Sequence, residues 1–278
     1  MIYELYEKAD FDSVTVQCVA VAASFLFFVF VYVTSLLLSS PTFTFQRLSI
    51  REKVFWNLTV ARGVFGAYSF MFSSYCLMTQ DELFNDVVFG KTKASLFLVS
   101  TAVGFFAFEC VAFFTSAAMF GKMDRTLAVH HALALVSFIR ALYLQIAHFF
   151  ALFALVLEMT TPFTCICWGL LKAKLMHTRL WLANQWMLVH LFHCRSLIEC
   201  YLWYKSWMNW NYIWTNMPGD VFFLQFFSMS VLSFILTPYW TYKKTMQLLD
   251  PTDWNHPQVE KKSDVPNDDR AEDKDKTN

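Results

Sequence analysis

Apolar residues recur along the chain in seven stretches, at about 14–38, 54–78, 95–119, 127–144, 147–171, 180–204 and 221–242, with polar connections between them. Most are as long as the roughly 17 to 25 residues a helix needs to cross a hydrocarbon core, so the pattern predicts an all-α integral membrane protein of about seven transmembrane helices. The flank before the first stretch is acidic (Glu4, Glu7, Asp10, Asp12) and its apolar core is long. A cleaved signal peptide has the opposite flank and a shorter core, so this stretch is expected to stay as a helix.

Basic residues set the expected orientation. Arg47, Arg51 and Lys53 follow the first stretch, Lys122 and Arg125 the third, Lys172, Lys174 and Arg179 the fifth, and Lys243 and Lys244 the last. The alternate connections hold fewer, with Lys91 and Lys93 beside Asp81, Glu82 and Asp86. The positive-inside rule then puts the N-terminus on the luminal side and the C-terminus in the cytosol. From residue 250 the apolar pattern stops and the chain turns polar, with both charge signs, as a disordered cytosolic tail does. Lys274 and Lys276 have the spacing from the end of a dilysine retrieval signal, an address read by coat proteins and not an anchor. The expected organisation is therefore 1–44, a luminal N-terminus with the first helix; 45–249, the main membrane domain; and 250–278, the tail.

Composition adds two exclusions. With 56% hydrophobic and 16% charged residues among 278, this is no ordinary soluble domain, and a formal net charge of zero gives no reason to expect nucleic acid as a partner. The seven cysteines lie almost entirely within apolar stretches, in neither a disulfide nor a zinc spacing, and read as small apolar space-fillers. "NLT" at Asn57 is formally a glycosylation acceptor, but it falls near the cytosolic side, where no glycan is expected.

The candidate chemistry lies inside the apolar stretches. His130 and His131 open the fourth, while His148, Glu158 and Thr161 are on the fifth, where Glu158, Thr161 and Cys165 share a face with Ala151 and Ala154. On the sixth, Asn184, Leu188, Leu191 and Arg195 align, Gln185 adjoins Asn184, and Trp186, His190 and His193 fall on nearly the opposite side. Each has a plain structural use: an isolated histidine or amide bonds between helices, Arg195 and Glu199 pair four apart, and Arg62 and Glu109 pair between spans two and three. Ionisable groups within a membrane are nonetheless functional candidates, and the convergence of a histidine pair, a mid-span carboxylate and amides points to general acid and base work. His130, His131 and Glu158 are the expected catalytic groups, with His148, Thr161, Asn184, Gln185, His190 and His193 as expected substrate contacts. The histidine boxes of membrane oxidases are missing, so neither a metal nor a bound cofactor is expected.

"REKVFWNLTVARGVFGAYS" at 51–69, "VLEMTTPFTC" at 156–165, "LANQWMLVHLFHCR" at 182–195 and "PYWTYKKTMQLLDPTDWN" at 238–255 closely resemble the TLC domain family, in its ceroid-lipofuscinosis branch. The resemblance covers roughly residues 45 to 255 and implies a TLC-type helical bundle. Ceramide synthases of this family carry a histidine pair, matched by His130 and His131. Glu158 stands at their aspartate position, while Leu157 replaces the preceding histidine and Thr161 a second aspartate. A covalent acyl-histidine at that second position is therefore ruled out, and ceramide synthesis is not expected. The branch implies an endoplasmic-reticulum membrane protein that cycles through the ER-Golgi intermediate compartment and serves lysosomal function and lipid balance. Two roles follow: an acyl-CoA-dependent acyltransferase making lysophosphatidylglycerol from glycerophosphoglycerol, towards bis(monoacylglycero)phosphate; or a cargo receptor for newly made lysosomal enzymes, handled by COPI and COPII coats. A non-catalytic lipid or ceramide sensor is a third. Expected partners are thus membrane lipids, acyl-CoA as co-substrate, and, under the second role, lysosomal enzymes and coats.

Overall fold

The computed structural model describes residues 9–121 and 125–253, and all regular structure among them is helical. The principal helices are α1 (Val14–Ser39), α2 (Ile50–Thr79), α3 (Lys93–Phe120), α4 (Arg125–Leu144), α5 (His148–Val156), α6 (Thr161–Lys172), α7 (Arg179–Met208), α8 (Trp210–Asn216), α9 (Gly219–Val231) and α10 (Thr237–Leu249). A 3₁₀ turn at Leu157–Thr160 joins α5 to α6, and a π turn at Leu232–Leu236 joins α9 to α10. Their starts are written in the sequence. Ser49 accepts from the Glu52 N–H while the Glu52 carboxylate accepts from the Ser49 N–H at 2.9 Å, and Thr92 and Ser95 exchange bonds in the same way at the head of α3. These reciprocal caps satisfy backbone donors that the first helical turn leaves open. Gly121 ends α3 at φ 63°, a conformation that L side chains rarely adopt.

Among the described residues, five helices are long and apolar enough to cross a membrane: Val14–Ser39, Lys93–Phe120, Thr126–Leu144, His148–Lys172 and Gly219–Leu249. The remaining two expected spans coincide with α2 and α7, each of 30 residues. Their lower hydropathy has a visible cause, because they bury polar groups: Asn57, Thr59 and Arg62 on α2, and Asn184, Gln185, Arg195 and Glu199 on α7. Asn57, 1% exposed, accepts from Ser35 Oγ at 2.8 Å and donates to the Lys53 carbonyl, leaving no surface for a glycan.

Consecutive spans alternate in direction. Parallel α1 and α3 meet through Ser24 Oγ, which donates to the Thr101 carbonyl at 2.8 Å, and through Phe28 against Phe105. Antiparallel α2 sits beside them, with Phe65 stacked on Phe105 at 3.6 Å. The alternation gathers Glu52, Lys172, Lys243, Lys244 and Asp253 at one end, the basic end, and Asp12, Lys91, Asp86, Arg140 and Asp220 at the other. At the basic end Lys172 bonds Glu52 and lies 2.7 Å from Asp253, and Gln247 donates to the Thr252 carbonyl at 2.7 Å. The start of the expected tail is thus fastened to the bundle; Lys274 and Lys276 lie outside the described residues. Burial raises the Glu52 pKa, but bonds from Lys172 and Ser49 outweigh it and lower the value to about 2. The folded value lies below the unfolded one, so this carboxylate's stabilisation is present above about 4.5 and fades as pH falls towards 2.

Gly66 lets α2 press against the 3₁₀ turn. A Cβ there would lie 2.8 Å from Thr161 Cβ, 2.9 Å from Pro162 Cδ and 3.0 Å from the Glu158 carbonyl oxygen. Gly66→Ala is expected to lower stability by about 1–3 kcal/mol through overpacking, read as a fall in the thermal midpoint of purified protein. An unchanged midpoint would show that the turn yields freely.

Candidate functional site

Pro162 shapes the first part of the site. It lies at the start of α6, where its missing N–H removes a helical hydrogen bond, and the preceding turn tightens so that the Thr161 N–H reaches the Glu158 carbonyl. Glu158 then faces inward, its carboxylate accepting from Thr161 Oγ1 at 2.6 Å. Glu158 makes no ion pair with either histidine among the described residues.

The carboxylate that meets the histidine pair belongs to Glu109 of α3. It is fully buried, receives Arg62 of α2 at 2.8 and 2.9 Å, and lies 3.1 Å from His131 Nδ1. Three helices therefore contribute one arginine, one carboxylate and one imidazole to a single buried group. Arg62 compensates the charge that Glu109 would otherwise hold unpaired in apolar surroundings. His131 Nδ1 is within ion-pair distance of Glu109 but makes no aligned hydrogen bond to it, so the contact is electrostatic and would favour a proton on the imidazole. The second histidine, His130, packs edge-on against Trp240 of α10. Arg195 of α7, 4% exposed, donates to Thr237 Oγ1 at 3.0 Å and to the Leu157 carbonyl and Glu199 at 3.3 Å, with its guanidinium 5.5 Å from the Trp240 ring.

Arg62, His130, His131, Glu158 and Arg195, with Glu109 buried behind them, line two chambers that share Phe106, His130, Glu158 and Arg195. The chamber towards the basic end encloses about 1290 Å³ including its open mouth, and its polar lining includes Arg62, His131, Thr161, Lys243 and Lys244. The chamber towards the opposite end encloses about 1060 Å³, counted likewise; it is walled chiefly by aliphatic and aromatic side chains and reaches Arg140. A polar chamber, an apolar chamber and a junction holding imidazole, carboxylate and guanidinium suit a substrate with a charged head and a hydrocarbon tail.

The remaining expected contacts stand elsewhere. His148 is buried with Nδ1 2.9 Å from Ser95 Oγ, tying α5 to the head of α3. Asn184 donates to the Phe163 carbonyl at 3.0 Å, and Gln185 donates to Cys167 Sγ at 2.7 Å, so both amides bind α7 to α6. His190 stacks on Trp186 on the exposed outer side of α7, and the Nδ1 atoms of His190 and His193 lie 2.8 Å from the carbonyls four residues back. Of the expected substrate contacts, only Thr161 lines the chambers. Glu109 as the partner of His131, and Arg195 as a wall of both chambers, were not expected. The available signal was that Arg62, Glu109 and His131 stand on consecutive spans, but reading helices pairwise leaves the third member out. No group of three or more His, Cys, Asp and Glu suited to hold a metal ion occurs among the described residues.

A family model described as the TLC domain matches residues 55–245. "Protein CLN8" of Rattus norvegicus is 38% identical over 257 residues, covering 92% of this chain and 89% of the relative. "Protein CLN8" of Homo sapiens is 38% identical over 256 residues, covering 91% and 90%. A more distant relative, "TLC domain-containing protein 4 A" of Dictyostelium discoideum, is 24% identical over 242 residues, covering 84% and 91%. No solved structure matches.

Proposed function

The chain belongs to the TLC domain family, as a multi-pass membrane protein similar to the CLN8 proteins, and from that membership we propose that it is an acyl-CoA-dependent lipid acyltransferase. The acceptor in this reading is glycerophosphoglycerol, converted to lysophosphatidylglycerol towards bis(monoacylglycero)phosphate. The enzyme acts in the endoplasmic-reticulum membrane, cycles through the ER-Golgi intermediate compartment, and has its basic end in the cytosol. The carrying observation is the junction of a polar and an apolar chamber at His130, Glu158 and Arg195, with His131 anchored by Glu109 beside it.

Acyl-CoA enters from the basic end, where Lys243 and Lys244 face its phosphates, and its chain lies in the apolar chamber. His131 Nε2 takes the proton of an acceptor hydroxyl as that oxygen attacks the thioester carbon, and Glu109 stabilises the resulting imidazolium. The tetrahedral intermediate collapses with cleavage of the C–S bond, and the imidazolium returns its proton to the leaving thiolate. His130 and Arg195 offer the oxyanion a donor and a fixed positive charge, while Glu158 orients the glycerol hydroxyls.

The test is acyl transfer by purified protein in lipid nanodiscs, with labelled acyl-CoA and a panel of glycerophosphodiesters and sphingoid bases. Turnover on glycerophosphoglycerol is expected. Absence of turnover on every acceptor, with folded protein that still captures lysosomal enzymes, would replace this reading with the cargo-receptor role.

A further inference from the structure

The helix α9 forms one wall of the apolar chamber, and four of its features converge. Of its residues only Val221 and Met229 are buried, and its main aromatic packing, Phe222 and Phe226 against Trp203, Trp210 and Trp214, is on α7 and α8 and not on α4. Its inner side lines the chamber through Leu224, Gln225 and Ser228, while Phe223 and Phe227, and within the π turn Phe234 and Ile235, are exposed on the outside. It is tied to α4 by two polar contacts, the Arg140–Asp220 ion pair near its start and Ser137 Oγ to Ser228 Oγ at 3.2 Å. Finally, it runs into the π turn Leu232–Leu236 with Pro238 just beyond, a place where a helix bends without losing a regular ladder of bonds.

We infer that α9 is a lateral gate that swings about the π turn, parts from α4, and passes a fatty-acyl chain between the apolar chamber and the surrounding bilayer. The identity of the chain rests on the acyl-transfer reading; the motion does not. Acyl-CoA and a glycerophosphodiester both arrive from water, but the product carries a hydrocarbon chain already seated in the chamber. Leaving through the polar chamber would drag that chain past Lys243 and Lys244 into water, against the hydrophobic effect. Leaving between α4 and α9 moves it from one apolar surrounding to another. Both contacts to be broken are exchangeable there, because Arg140 and Asp220 are partly exposed at the bundle end and the serine pair can re-bond elsewhere.

The test uses Ser137→Cys/Ser228→Cys in nanodiscs, compared with itself in oxidised and reduced form, with wild-type protein under the same oxidant as control for the seven native cysteines. The oxidised double variant is expected to lose at least tenfold in steady-state turnover, to keep its first turnover, and to recover on reduction. In parallel, a lysophospholipid with a photoreactive acyl chain is placed in the bilayer; it should label chamber residues in the reduced form and not in the oxidised form. Labelling reads the gate even if wild-type protein transfers no acyl group, so failure of the enzymatic reading and failure of the gate are told apart. Fully cross-linked protein with unchanged labelling overturns the inference, as does failure of the two cysteines to cross-link at all.

Discussion

Replacing His131 by alanine is expected to lower acyl transfer by roughly 10²–10⁴-fold, the usual worth of a positioned general base, with the fold intact. The fold survives because Arg62 still holds Glu109 at 2.8 Å when the imidazole is gone, so no buried carboxylate is left alone. Histidines elsewhere provide the contrast. His190 stacks on Trp186 on an exposed face and spends Nδ1 on a carbonyl of its own helix, so His190→Ala should leave turnover within a factor of two or so. Side-by-side turnover of the two folded variants decides the matter. A His131→Ala protein with undiminished transfer would remove this residue from the base role.

The contrast between those histidines also explains what could be read from the sequence. Length and apolarity gave the helices, because a span must satisfy its own backbone in hydrocarbon and the polar connections mark where it stops. Depth along each helix was legible too, which is why the histidine pair, Glu158 and Thr161 were expected and do line the chambers. Rotation about the helix axis was not. In a soluble helix the apolar stripe faces the core, but a membrane helix is apolar towards lipid and neighbour alike, and the pattern loses its sense of inside. His190 and His193 looked like a second polar stripe for that reason, although each is satisfied by its own helix. Asn184 and Gln185 were legible as buried polar groups, yet whether an amide faces a chamber or the carbonyl of α6 depends on packing. Pro162 and Pro238 fall inside stretches expected to be continuous helices, and a proline alone does not tell that one interruption tightens to a 3₁₀ turn and the other widens to a π turn.

The pairing of Glu109 yields a second large effect, on stability this time. Arg62→Met alone should destabilise the protein by about 3–5 kcal/mol, because it leaves a buried carboxylate facing only His131. Arg62→Met/Glu109→Met should recover most of that loss, since exchanging a whole buried ion pair for apolar side chains of similar volume is often neutral or stabilising. Acyl transfer should not return with stability: His131 would lose the carboxylate 3.1 Å from its Nδ1 that balances its charge once it accepts a proton. Unfolding midpoints and turnover of wild type, single and double variant therefore move apart, stability falling and recovering while activity falls and stays low. A double variant less stable than the single would mean that the pair stabilises the bundle by more than mutual compensation. A stable and fully active double variant would mean that Glu109 serves only to neutralise Arg62, and that His131 is positioned by its contacts with Phe106 and Phe113 instead.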